Sequence, residues 1–589
     1  MSGTVRVTSE RIPWPVSAGL GLVVVGAVVV FDPRGYNGYV ASKVLVAGVG
    51  LLVLVAVLSR GSGLVVPTGM PSVIASTLGG LMVVATFASE SVWRSLLGAP
   101  QRQVGMLAWF GFALAAVVGL SLRRRYGDAV LESLVKVAVV AVVAVSALGV
   151  AELAGWEVDP QLVEFRGRVR ATLGNPAVLS GFLILVGPLA AVAADRRDRW
   201  RWAGWLAVVG ALVNIMGAET RAAWLTAAVL GVAVGLVRLR GRSRRLLVAA
   251  VLVGLIATGF TGRWQSAAGD FGERVSIWEV GFAATRDSPL LGVGPEMFET
   301  AFEEHLGEQT AVEIDSSTPI DRVHNGVLDF AVSFGVAAGV LYAAVLALVS
   351  WLAVRAVRNG DLIRLALGFG VVAYALQQQA LFAHPTSDLV WWLLIGVLVA
   401  DSGVAVRRLP RPVNAVAAMV VAALCINAGS VVRNDRLYAS AFESRSYSEA
   451  YLDLEAAASH RPFDDLSYLL LGALLSESPE ISLVEHGIQR LREGVEHNPG
   501  NGPVARALSD SLLQGYRLTG ESRFAAESVE TLSSLVASQP SNGDSYLKRG
   551  TAWYYLGDVE AARSDWERAA FLMPSRPEPR NNLEVIGDR

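Results

Sequence analysis

Apolar runs of about 17–25 residues recur along the first three-quarters of the chain, the length that crosses a hydrocarbon core about 30 Å thick. Thirteen are legible, at about 14–31, 40–59, 72–89, 104–122, 134–153, 176–194, 203–218, 223–238, 246–261, 326–354, 365–383, 389–405 and 412–431. They predict thirteen transmembrane helices. Arg6 and Arg11 precede the first run as in a secretory leader, but no small-x-small cleavage site follows, so the run reads as a retained anchor. The connection 262–325 is far longer than the usual link between bundled helices, and loops of that size are functional or disordered. Its apolar anchors Trp264, Phe271, Ile277, Trp278, Phe282, Met297, Phe298 and Phe302 predict a folded loop on the outer membrane surface.

Charge orients the bundle. With the N-terminus inside, the inner connections carry 21 basic residues, including Arg123, Arg124, Arg125, Arg244 and Arg245, against 12 in the outer ones. This is the sense of the positive-inside rule, and an odd number of spans puts the C-terminal segment outside. Composition agrees with a lipid environment: 53% of the 589 residues are hydrophobic and 17% charged, and the mean hydropathy is +0.46. A net charge of −2 gives no basic signature for nucleic acid. The single cysteine, Cys425, excludes an intrachain disulfide framework and a cysteine-cluster metal site.

The charge is unevenly distributed. From Arg436 onward 23 acidic residues face 15 basic ones, whereas the preceding part holds 29 acidic and 35 basic. We therefore divide the chain into a membrane domain, 1–433, and an acidic domain, 434–589. The latter is periodic. Tyr546, Gly550, Trp553, Gly557, Asp558, Ala562, Trp566, Ala569 and Pro574 follow the tetratricopeptide spacing, with small residues where two helices approach and large ones filling between them. An earlier unit contains Tyr447, Ala450, Leu454, Ala457 and Pro462, and two looser units end at Pro499 and Pro540. The segment resembles a tetratricopeptide α-solenoid of about four helix pairs, an architecture that binds partner proteins on a concave face. The fold class expected is thus all-α: a polytopic membrane bundle of about 13 helices with an extracytoplasmic helical repeat domain.

Three groups fall together on the outer face. Arg221 lies in the tight turn Glu219-Thr220-Arg221, Arg274 in the long loop, and His324 at the opening of the tenth span. Two guanidiniums suit a diphosphate through forked hydrogen bonds. They also stabilise charge developing on a diphosphate leaving group. A histidine beside them suits proton abstraction from a hydroxyl. Singly, each has a plainer reading: Arg221 paired with Glu219 or reaching lipid head groups, Arg274 a solvated charge, His324 a helix cap. His384 lies on the same face in His384-Pro385-Thr386-Ser387-Asp388, and Arg166, Arg168 and Arg170 add positive charge there.

The local wording resembles the O-antigen ligase/polymerase family of bacterial membrane glycosyltransferases over roughly residues 15–430. The matching stretches are Arg170-Ala171-Thr172-Leu173-Gly174-Asn175-Pro176; Glu219-Thr220-Arg221-Ala222-Ala223-Trp224; Arg274 with Trp278; Asp287 to Phe298; and His324-Asn325-Gly326-Val327-Leu328 with Gly335. The resemblance implies a C-type glycosyltransferase-like membrane fold in a bacterial cytoplasmic membrane. It implies transfer of a glycan from a polyprenyl diphosphate carrier to an acceptor hydroxyl on the outer face, inverting and without metal or other cofactor. By the same resemblance Arg221 and Arg274 bind the diphosphate and His324 activates the acceptor, with Arg170, Glu219 and His384 in support. The implied partners are a lipid-linked oligosaccharide or polysaccharide, membrane lipid, and an acceptor lipid, glycan or protein; the repeat domain suits an envelope-assembly protein.

Five other readings compete. Polymerisation of lipid-linked repeat units and protein O-glycosylation use the same donor. A lipid-linked glycan transporter requires ionisable residues deep in several spans, where Lys136 lies near the inner edge and Gln377, Gln378 and Gln379 are uncharged. A scaffold needs far fewer spans than thirteen. A soluble metalloenzyme lacks ligand spacing, and no GxxxxGK[ST] phosphate loop occurs, so the activated lipid donor supplies the driving force.

Overall fold

A computed structural model describes residues 12–156, 167–238, 263–314, 320–359, 361–498 and 500–587. The front of the chain forms helices α1 (Trp14–Val24), α2 (Gly26–Val29), α3 (Ala41–Arg60), α4 (Met70–Ala88), α5 (Val92–Leu97), α6 (Met106–Tyr126) and α7 (Asp128–Leu153). Next come α8 (Pro176–Ala191), α9 (Trp200–Gly217) and α10 (Arg221–Arg238). The long connection contributes α11 (Arg263–Asp287), α12 (Phe298–His305) and α13 (Glu308–Ile314). The bundle is completed by α14 (Gly326–Phe334), α15 (Val336–Asn359), α16 (Leu362–Gln377), α17 (Pro385–Asp401) and α18 (Arg411–Glu443).

Among the described residues, seven helices are long and apolar enough to cross a membrane: α3, α4, α6, α7, α8 with its 3-10 extension to Asp195, α15 and α18. Four more of the thirteen expected spans are the helices α9, α10, α16 and α17, and the run 246–261 lies outside the described residues. The first run is divided between α1 and α2. The run 326–354 also breaks, into α14 and α15 at Gly335, which adopts φ +88°. Segment 289–294 binds at that break: Val336 N donates to Pro289 O at 2.9 Å and Val293 N to Val332 O at 2.9 Å. A Cβ on Gly335 would collide with the Leu290 carbonyl, so only glycine fits there.

Within the bundle α6 and α17 cross closely because Gly119 and Gly396 each face the other helix's backbone, Leu393 and Ala116 respectively. A two-stranded antiparallel ribbon pairs Val65–Pro67 with Val406–Arg408 at the end of the bundle opposite the long loop, a small exception to the all-α expectation. The loop itself is helical. Ile277, Met297, Phe298 and Phe302 are buried as anchors, whereas Phe271 and Phe282 are exposed.

Helix α18 has 33 residues and is about 50 Å long, so it passes through the expected domain boundary at 433/434 without interruption. Beyond it lie α19 (Tyr447–His460), α20 (Asp465–Glu477), α21 (Ile481–His497), α22 (Gly502–Thr519), α23 (Ser522–Ser538), α24 (Gly543–Tyr555), α25 (Val559–Leu572) and α26 (Glu578–Ile586), each packed on the next. Gly550 lies against the Trp566 indole, and Ala562 and Ala569 are fully buried.

This helical stack rests on the long loop. Arg506 donates to Glu303 at 2.7 Å, and Asn542 to the same carboxylate at 3.2 Å. Arg94, between α4 and α6, pairs with Glu299 of α12 at 2.8 Å and with Asp465 of α20. The Trp93 and Phe463 rings stack at 5.9 Å. The C-terminal stack and the loop therefore lie at the same end of the bundle.

Candidate functional site

Backbone strain marks the site. Among the described residues, the non-glycine residues with positive φ are Gln103, Ala171, Glu219, Glu296 and His324. Such conformations cost energy and gather where function over-determines them. Three of them adjoin or belong to the residues singled out by sequence: Ala171 follows Arg170, Glu219 precedes Thr220-Arg221, and His324 is itself one; Gln103 follows Arg102, and Glu296 lies in the long connection.

Glu296 is an organiser. It is buried; its carbonyl accepts from Arg94 Nε at 2.8 Å, its side chain accepts from Ala99 N at 3.2 Å, and its other oxygen pairs with Arg322. Arg322 also faces Asp329 of α14 at 3.6 Å. Burial opposes the Arg322 charge, but Glu296, Asp329 and Asp321 outweigh it and hold the guanidinium firmly protonated. The chain from Asp321 to Asn325 is thereby pinned on both sides. Asn325 caps α14, accepting from Leu328 N at 3.0 Å.

His324 projects from this pinned segment. Its ring meets the Phe382 ring edge-on at 5.4 Å, and its buried Nδ1 has no hydrogen-bond partner. Arg102 lies over the same Phe382 ring, 4.1 Å from the centroid, while bonding Asp321 through Nε at 2.6 Å and Nη2 at 3.0 Å. Arg274 of α11 donates to Ala380 O at 2.7 Å, and Asn325 Nδ2 to Gln379 O at 3.5 Å. The segment 379–382 is thus the seat on which His324, Arg274 and Arg102 converge.

The electrostatics follow from that geometry. Burial, then the Arg274, Arg102 and Arg322 guanidiniums, push the His324 pKa down to about 4 against a smaller opposing pull from Asp321. The imidazole is neutral at pH 7. Burial alone would raise Asp321, but Arg102 and Arg322 outweigh it and hold the carboxyl below its ordinary range.

The other expected residues are placed by contacts of their own. His384, two residues beyond the seat in the chain, is buried; Asp388 accepts from its backbone N at 2.6 Å and Thr386 Oγ1 lies 3.1 Å from its Nδ1. Burial, then Lys43 and Arg102, lower its pKa to about 3. Arg221 opens α10; Ala223, two residues on, packs against Ile184 of α8 and Ala373 of α16. Glu219 is the strained residue of that turn, and Arg168 donates to Ala218 O at 3.0 Å, tying the preceding loop to it. Arg170 is fully buried against Glu152, with Nε 3.3 Å from Oε1. The same carboxylate accepts from the Arg170 and Ala171 backbone N–H groups at 2.9 and 2.8 Å.

Sequence reasoning passed over Arg102, Asp321, Glu296, Arg322 and Phe382 as site components. Arg102 and Asp321 are 219 residues apart, so no local spacing connects them.

Comparison with known proteins bears on the same region. Residues 206–343 match the family model described as O-antigen ligase, a stretch that contains Arg221, Arg274 and His324. The match supports a membrane protein of glycan transfer. No curated protein matches the chain.

Proposed function

We propose that the protein transfers a glycan from a polyprenyl diphosphate carrier to an acceptor hydroxyl at the outer face of a bacterial cytoplasmic membrane, inverting the anomeric carbon without a metal. The observation that carries this reading is the convergence of neutral, partly unbonded His324 with Arg274 and Arg102 on the 379–382 segment; His324 and Arg274 lie inside the region matched to O-antigen ligase. His324 takes the proton of the acceptor hydroxyl as its oxygen attacks the anomeric carbon. The bond from that carbon to the diphosphate oxygen breaks, and the polyprenyl diphosphate leaves against Arg221 and Arg274. Arg102 adds a further guanidinium to the same field.

The depressed basicity of His324 fits this role. In the free enzyme the surrounding cations make it a weak base. An arriving diphosphate brings negative charge that offsets them and raises its proton affinity. Donor binding therefore switches on the base. The tail, seated on the loop, resembles a tetratricopeptide array and in this reading guides the acceptor or an envelope partner toward the site.

The test uses purified protein in lipid with a polyprenyl-diphosphate-linked oligosaccharide from the host. Release of polyprenyl diphosphate is followed and the glycosylated product identified by mass spectrometry. The expected result is product in the wild type and its loss in Arg274→Ala and His324→Ala, with both variants folded. Wild-type turnover by His324→Ala would sink the assignment.

A further inference from the structure

One buried apolar cluster holds the long connection together, and the C-terminal stack supplies part of it. Ile277 of α11, Phe302 of α12 and Ala311 of α13 meet there with Val323 and Leu328. Leu572, the last residue of α25, is fully buried in the same cluster. Among the described residues it is the only buried member from outside 277–332. Helix α25 packs directly on α13, and Arg568, one turn before Leu572, reaches Glu308 of that helix. The last helix pair of the stack is therefore built into the loop's core.

Val323 carries that core to the site. It is fully buried, and a Cβ added to Gly281 of α11 would stand 3.3 Å from its Cγ1. Its carbonyl accepts from Trp278 Nε1 at 3.0 Å. The next residue is His324, whose φ is +55°. A non-glycine residue keeps such a conformation only where its surroundings fix it. Trp278 and the Arg322–Glu296 pair hold the chain here by polar contacts, and the cluster holds the Val323 side chain. Close packing passes a change of volume on to its neighbours, so a void in the cluster lets the strained residue relax and turns the imidazole with it.

We propose that Leu572 is a positioning residue for His324: by completing the cluster that anchors Val323, the last helix pair of the C-terminal stack sets the imidazole, and the site is assembled from the membrane domain and the stack together. The consequence for transfer rests on the reading above; the coupling of Leu572 to His324 does not.

The first experiment therefore needs no substrate. Exchange of the imidazole C2 hydrogen, followed by mass spectrometry on the full-length protein in lipid across a pH series, gives the pKa of each of the six histidines. His324 is held at about 4 by burial and by the Arg274, Arg102 and Arg322 guanidiniums, against Asp321. In Leu572→Ala, which leaves a void, the ring is expected to gain water and its pKa to move up toward 6.5. Exposed His486 of α21 is the internal reference and stays in place. Val323→Ala opens the same cluster from the other side and is expected to shift His324 in the same direction. Leu572→Met, which refills the volume, restores the wild-type titration. Phe571→Ala, next to Leu572 on α25 but 54% exposed, leaves it unchanged. In the transfer assay, Leu572→Ala is expected to lower kcat about 10- to 100-fold with little change in KM. A wild-type His324 titration in Leu572→Ala, or an equal shift in Phe571→Ala, overturns the proposal whether or not the last helix pair stays folded. The expected shifts in a protein that transfers no glycan would keep the coupling and remove the transferase reading instead.

Discussion

Arg102 grips Asp321 by two hydrogen bonds, Nε to Oδ2 at 2.6 Å and Nη2 to Oδ1 at 3.0 Å. Asp321 stands three residues before His324, and the same guanidinium covers Phe382, the ring that His324 abuts. Arg102 thus sets the position of the imidazole from two directions. Lysine retains the charge but cannot form the fork or stack as a plane. Arg102→Lys is expected to lower kcat/KM for transfer roughly 10- to 100-fold with the circular dichroism spectrum unchanged. Wild-type kinetics in that variant would leave Arg102 only its charge.

The low basicity of His324 has two consequences for pH. Its folded pKa of about 4 lies below the ordinary 6.5, so between these values the unfolded chain binds more protons than the folded one. The stability this group contributes is complete above about pH 6.5 and declines as pH falls toward 4. In catalysis, the acid limb of kcat/KM reports the free enzyme and is expected well below pH 6. The limb of kcat reports the donor complex and is expected at higher pH, because the diphosphate favours the imidazolium. Parallel pH profiles from 4 to 8 check this, and coincident limbs near pH 6.5 would remove the electrostatic account of the base.

Gly335 ties the broken span to the loop. At φ +88° an alanine costs about 1–2 kcal/mol on backbone grounds alone, and its methyl would meet the Leu290 carbonyl. Gly335→Ala is expected to release segment 289–294, raise its hydrogen exchange and reduce transfer. Gly80→Ala, which meets open space, is the control and is expected to change neither.

The expectation that Arg221, Arg274 and His324 share one face is drawn in one dimension, because helix length and arginine asymmetry depend on local pattern. The break of the run 326–354 is not. Gly335 is visible in the sequence, but its partner Leu290 lies 45 residues earlier, and a break needs both. Run length also overstates the clarity of α16 and α17, which stop at Gln377 and start at Pro385 around the seat of the site, a 3-10 turn over Gln378–Ala380 followed by an irregular link. The wording from Asp287 to Phe298 and from His324 to Gly335 signalled two important stretches; that one wraps the other emerges only from Val293 N bonding Val332 O. Likewise the small-residue spacing around Gly550 and Trp566 predicts paired helices but carries no trace of the surface they rest on, because Arg506 and Glu303 are 203 residues apart.

That resting surface makes the last prediction. Arg94 is nearly inaccessible and joins three parts of the chain: the Glu296 carbonyl, the Glu299 carboxylate and Asp465 of the C-terminal stack. Arg568 makes a corresponding contact to Glu308, but both side chains are partly exposed. Water and salt screen the second pair, so Arg568→Ala is expected to cost at most about 1 kcal/mol. Removing Arg94 instead takes the guanidinium from two largely buried carboxylates, of which Asp465 keeps the Asn501 amide, a loss of up to about 3–5 kcal/mol. Arg94→Ala is therefore expected to loosen α12 and α20 together, seen as raised hydrogen exchange in both, and to lower the urea midpoint far more than Arg568→Ala. Because Glu296 also holds Arg322, two residues before His324, the loss should reach the site as a fall in kcat. An Arg94→Ala protein with loosened helices and an unchanged kcat would separate the stack's anchoring from catalysis and show that the Glu296–Arg322 pair holds the site without it.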